Sequence, residues 1–124
     1  MDKLRRESKL LFVAVVVSTI FFYDKINWIH YFALFWVIDI FGYWPGYLYS
    51  KVTGKGVIHP FFYRIYNSMH DLTTVFVLMI LYVTFSDSPY SVLGIPLHIA
   101  VDRGLLGNYH KNDTYNFNQG GLQT

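Results

Sequence analysis

Apolar residues run along this chain in four long stretches separated by short polar breaks. Residues 1–9 are polar and basic, carrying Lys3, Arg5, Arg6 and Lys9. Residues 10–23 are apolar except for Ser18 and Thr19, and 24–27 form a polar turn. Residues 28–49 make a second apolar stretch, dense in aromatics. The loop 50–60 carries glycines and lysines, and Pro60 suits the first turn of a helix. Residues 61–85 are the third stretch, 86–89 a turn, and 90–106 a shorter fourth stretch. From Gly107 the chain is polar and Asn/Gly-rich, without apolar periodicity. The pattern predicts helices over about 10–23, 28–49, 61–85 and 90–106, and a polar tail over 107–124, in one domain covering 1–124.

The last three stretches fall in the ~17–25 residues that cross a hydrocarbon core of ~30 Å, and the first falls just short. Backbone amides in lipid must bond within their own segment, so such stretches must be helices, and the alternation of a membrane barrel is absent. The expected fold class is therefore an all-α membrane protein, a four-transmembrane-helix bundle. The first stretch lacks small residues at a cleavage point and reads as a retained helix, not a secretory signal. Basic residues concentrate before residue 10, in the loop 50–60 and at Lys111, while the other two loops offer only Lys25. The positive-inside rule then makes both termini cytoplasmic. Trp28, Trp44, Tyr23, Tyr47, Tyr49 and Tyr90 lie near stretch ends and read as an interfacial belt.

Composition agrees. The chain is 53% hydrophobic and only 15% charged, against roughly 25% in soluble proteins. A net charge of +2 without a basic stripe argues against nucleic acid as a partner. With no cysteine, disulfides and thiolate metal sites are excluded.

Against this background, Asp39, His70, His98 and Asp102 interrupt apolar sequence, with Asp71 a fifth candidate. A charged group at the bilayer centre costs roughly 2.5–3.5 kcal/mol, so these must be paired, protonated or bound to a cation. At ~1.5 Å of rise per residue, Asp39 lies roughly 17 Å from the outer end of its stretch and His70 roughly 15 Å from the inner end of the next. His98 and Asp102 lie roughly 12 and 18 Å from the outer end of the fourth. Three helices thus bring polar groups to one level. Asn67, His70, Asp71 and Thr74 follow i, i+3, i+4, i+7 spacing, and His98 and Asp102 are i, i+4. Asp39 shares a face with Trp36, Gly42, Tyr43 and Gly46. The spacing Gly42–Gly46, with Pro45 between, points to a close packing contact with a kink.

Two imidazoles with two or three carboxylates suit zinc, iron(II) or manganese, with His70, His98, Asp102 and Asp39 as ligands. Asn67, Thr74 and Tyr43 are placed to orient those ligands. Asp39 and Asp71 are candidate bases, and Arg103 either snorkels to headgroups or clamps an anionic one. The competing readings are a proton or ion relay and a purely structural polar network. His30 lies opposite Asp39, and His59 and His110 fall in loop and tail, where solvent is their expected partner.

No GxSxG, Walker, HExxH or CxxC pattern is present. Three segments, however, occur together: Asp39-Ile40-Phe41-Gly42-Tyr43, Tyr66-Asn67-Ser68-Met69-His70, and His98-Ile99-Ala100-Val101-Asp102-Arg103 followed by Gly104 and Gly107. In order and type they make residues 28–111 resemble an uncharacterised family of small bacterial membrane proteins, domain of unknown function 4260. That family's pattern ends on Asp-Thr-His, where this chain has Asp113-Thr114-Tyr115. The resemblance implies a bacterial inner (plasma) membrane as the location, and a site but no reaction.

The leading expectation is a membrane-embedded, metal-dependent enzyme, a hydrolase by default, acting on a lipid or small amphiphile. A transport or proton/ion-conducting protein using the same Asp and His residues is the alternative, and a non-catalytic membrane scaffold the third. Membrane lipids are the expected partners, with a homo-oligomer a further expectation.

Overall fold

The computed structural model describes residues 2–121 of the 124, and they are helical with no strand. Helix α1 (Asp2–Phe21) leads through a 3-10 turn (Tyr23–Lys25) to α2 (Trp28–Gly42), whose first turn is capped by the Asn27 side chain accepting from His30 N–H. Then come α3 (Trp44–Thr53), α4 (Pro60–Met69) and α5 (Leu72–Phe85). A 3-10 segment (Pro89–Leu93), α6 (Gly94–Ala100) and a π-helical turn (Val101–Leu106) complete the helical part.

The helix boundaries differ from those expected, for local reasons. The stretch 28–49 is two helices, because Pro45 has no N–H to give the carbonyl of Phe41. Helix α3 then runs on to Thr53 and stops at Gly54, whose φ of 70° is the left-handed conformation that ends helices. The stretch 61–85 is also two helices, bent by 55° where His70 closes α4 and Asp71 opens α5. This break cancels the expected common face of Asn67, His70, Asp71 and Thr74, since the last two belong to a helix pointing elsewhere. The fourth stretch is three short pieces. Helix α1, in turn, starts eight residues before the apolar run. Its early turns are anchored by the Arg5 guanidinium, which donates to the carbonyls of Gly104 and Leu105 at 3.3 and 3.2 Å.

Four unbroken spans are therefore not found. No single helix among the described residues is long and apolar enough to cross a membrane, while the bent pair α4–α5 has the length and composition to do so together.

Helix α2 is central, packed on α6 and α4, while α1 lies on α6 and the π turn. Ile38, Val75, Val92, Ile95 and Ile99 form one core between α2, α5 and α6. Gly42 allows α2 and α4 to cross closely, as a Cβ there would lie 2.8 Å from Met69 Cβ. A second core joins Ile58, Tyr63 and Tyr66 to Phe117 of the tail. Many large apolar side chains face outward, with Ile29 83%, Val52 86% and Phe85 84% exposed.

Candidate metal centre

Each break in a helix positions one part of the site. His70 sits where α4 ends, its ring facing inward and stacked on Tyr66 with centroids 3.9 Å apart. Asp39 lies one turn before the α2–α3 break. His98 and Asp102 stay one turn apart although the backbone passes from α-helix to π-helix between them. A π turn shifts the residues after it around the axis and is frequent at functional sites.

The four side chains meet. His70 Nε2 is 3.2 Å from Asp39 Oδ1 and 3.3 Å from Asp102 Oδ2. His98 Nε2 is 3.3 and 3.0 Å from the same two oxygens. One ligand atom from each residue lies within 4.8 Å of every other. Both imidazoles are buried, while the side chains of Asp39 and Asp102 remain 21% and 16% exposed.

The protonation pattern follows from the neighbours. His70 Nδ1 faces the Tyr66 carbonyl at 2.8 Å, and His98 Nδ1 faces the Phe35 carbonyl at 2.6 Å. A carbonyl only accepts, so each Nδ1 carries a proton and donates it. A neutral ring then presents a lone pair at Nε2. Neither Nε2 has a hydrogen-bond partner, although carboxylate oxygens lie within 3.3 Å, so those oxygens sit off the line along which a ring N–H would point. Two lone pairs and two carboxylates facing one another repel unless a cation lies between them or the rings take up a second proton. Ligands bonded at ~2.0–2.2 Å to a shared four-coordinate ion stand about 3.3–3.6 Å apart, close to the four His–Asp separations, while all four ligand atoms lie within 4.8 Å of one another. Asp39, His70, His98 and Asp102 thus form a group able to hold a metal ion, and a histidine whose other nitrogen donates to a backbone carbonyl is the usual form of a metal ligand.

The other anticipated residues have different places. Asp71 accepts from Thr73 N–H at 3.4 Å and caps α5. Arg103 donates to the carbonyl of His70 at 3.2 Å and so ties the π turn to the α4–α5 break. Asn67 exchanges two hydrogen bonds with the Lys111 backbone, at 2.9 and 2.6 Å. Thr74 lies on α5, past the bend. Tyr43 borders the site and donates to Asn118 Oδ1 at 3.0 Å.

A cavity of about 220 Å³ opens beside the carboxylates, bordered by Asp39, Tyr43, Tyr66, Asp102, Asn108 and Lys111. Its outer wall is the tail, which the apolar pattern left without structure. Phe117 is fully buried, stacked on Tyr43 and edge-on to Tyr63, and it fills the space over Gly46, where a Cβ would lie 2.5 Å from its ring. The Phe117 N–H donates to Gly56 O at 2.8 Å, and Tyr63 Oη to Tyr115 O at 2.5 Å. Lys111 is only 9% exposed, with Nζ 4.6 Å above the Tyr66 ring and donating to Gln119 O at 3.0 Å. Burial pushes its ammonium down to about 8, against the opposing pull of Asp102 and Asp39. The aromatic residues of the tail (Tyr109, Tyr115, Phe117) were the available signal, but they follow no helical or strand period.

The chain is thus an all-helical protein with a buried two-histidine, two-aspartate centre beside a polar cavity. No protein-family model, curated protein or solved structure matches it.

Proposed function

We propose that this chain is a membrane-embedded, metal-dependent hydrolase acting on a lipid or small amphiphile. The observation that carries the metal is the pair of buried Nε2 atoms without hydrogen-bond partners, each aimed among carboxylates, with each Nδ1 already committed to a carbonyl. Zinc, iron(II) or manganese fits two nitrogen and two oxygen donors. The outward apolar side chains and the long apolar stretches support the membrane setting. The segments that carry the resemblance to domain of unknown function 4260 supply all four ligands, and membership of that family belongs to the same proposal.

A bound divalent ion lowers the pKa of water to about 7, which is the chemistry hydrolysis needs. His70 and His98 would hold the ion through Nε2, with tautomers set by the Tyr66 and Phe35 carbonyls. Asp39 and Asp102 would complete the ligand set from the cavity side, and their remaining oxygens would be the proton acceptors. A proton relay is less well served, since each imidazole's second nitrogen ends on a main-chain carbonyl that passes no proton onward.

Metal analysis of the purified full chain tests this. About one ion per chain is expected, and His98→Ala and Asp102→Ala should each remove most of it. The double variant should lose little more, because one missing ligand already spoils the centre. Wild-type protein that takes up no zinc, iron or manganese in any preparation would sink the metal reading.

A further inference from the structure

The cavity beside the centre has a charge pattern that selects its occupant. Its polar border holds two carboxylates, Asp39 and Asp102, and one ammonium, Lys111. Without a metal the formal sum is one negative charge; with a divalent ion it becomes one positive charge. The surplus lies on Lys111, which lines the same cavity as the two carboxylates. Lys111 is held there by its contacts: its backbone is gripped on both sides by Asn67, and its Nζ lies over the Tyr66 ring and donates to Gln119 O. Asn108 adds a donor. Its Oδ1 accepts from Gly121 N–H at 2.7 Å, and its NH2 group has no partner among the described residues. A volume of about 220 Å³ accommodates a compact head and not an acyl chain.

Resting on the metal reading, the geometry points to this cavity as the binding site for a phosphoryl group of the substrate, held between the metal and Lys111, with the tail as its wall. A compact oxyanion with several terminal oxygens can meet a metal, an ammonium and an amide at once, and charge-assisted bonds of this kind are the strong ones. Arg103, the anion clamp anticipated from sequence, is turned to the His70 carbonyl. The anion-binding part falls to Lys111.

The test uses the full chain in detergent, with metal content measured on every sample. Inorganic phosphate, glycerol phosphate and a short-chain phosphatidic acid are titrated by calorimetry into metal-loaded and chelator-stripped protein. Saturable binding of phosphate to the loaded form, weakened about tenfold or more by stripping, is expected. Lys111→Met, which keeps an unbranched stem, should lose about tenfold or more in phosphate affinity at unchanged metal content. Lys111→Arg should keep most of it and covers the case in which Met disturbs the tail. Tighter binding of phosphatidic acid than of the two small phosphates assigns the group to a lipid, and equal binding assigns it to a free anion. Stoichiometric metal without phosphate binding, or full phosphate affinity in Lys111→Met, overturns the inference and leaves the metal centre standing. Absence of metal from every sample overturns both, and the metal assay reads that directly.

Discussion

Lys111 shows how a single side chain acquires a role from its surroundings. In the polar tail it counts as one more cytoplasmic charge; in the fold it is a buried cation on an aromatic face beside two carboxylates. Its folded pKa of about 8 lies below the unfolded value of 10.5. Between those pH values the unfolded chain holds a proton that the folded chain has released, so stability rises with pH across that window. Below pH 8 both states are charged and the folded state bears the full cost of burial. Metal-free wild type should therefore gain in thermal midpoint between pH 7 and pH 9, whereas Lys111→Met should start higher and show a smaller rise. A midpoint that falls over this range in wild type and not in the variant contradicts the burial of a charged Lys111. Asp39, His70, His98 and Asp102 behave differently, because residue type alone set them apart in apolar sequence, and they are ionisable groups that arrive together.

Among the elements, the interruptions matter more than the helices. The α4–α5 break aims His70 inward and hands Asp71 to a cap, and the π turn brings Asp102 under His98. Periodicity assumes one continuous helix, so it grouped Asp71 and Thr74 with His70 and lost them at the bend. The tail is a further element that no period announces. It is secured by one large anchor, Phe117, over Gly46. Phe117→Ala should cost about 3–5 kcal/mol in denaturant titration, as for other buried aromatic truncations. Gly46→Ala should also destabilise, since its Cβ collides with the ring. Both variants should become more sensitive to proteolysis between residues 107 and 121 than wild type. A tail as resistant in Phe117→Ala as in wild type would show that the ring is not what holds it.

At the level of the whole molecule, the proposed membrane setting makes a prediction about sides. The cavity wall is built from the tail and faces the loop after α3, through Phe117 N–H on Gly56 O. Under that proposal the Lys/Arg bias would place both segments in the cytoplasm. Reporter fusions after residue 124 and within the loop 50–60 should both read cytoplasmic, and the substrate would then enter from that side. A periplasmic signal at either position contradicts the topology and reverses the side of access.

Helical class and the ionisable residues at one level were decided by the sequence itself, because both depend on local composition and on rise per residue. Each Asp or His in an apolar run stands out whatever the fold. Three matters were decided only by tertiary structure. The break at Pro45 is local, but the bend at His70 is tied by the Arg103 guanidinium, 33 residues away, on the His70 carbonyl. The tautomers of His70 and His98 depend on one carbonyl four residues away and another 63 residues away. The seat of the tail depends on Phe117 finding a glycine 71 residues earlier in the chain. Contacts over such separations leave no trace in a periodic pattern, because nothing in the spacing of residues along one segment records which other segment will lie against it.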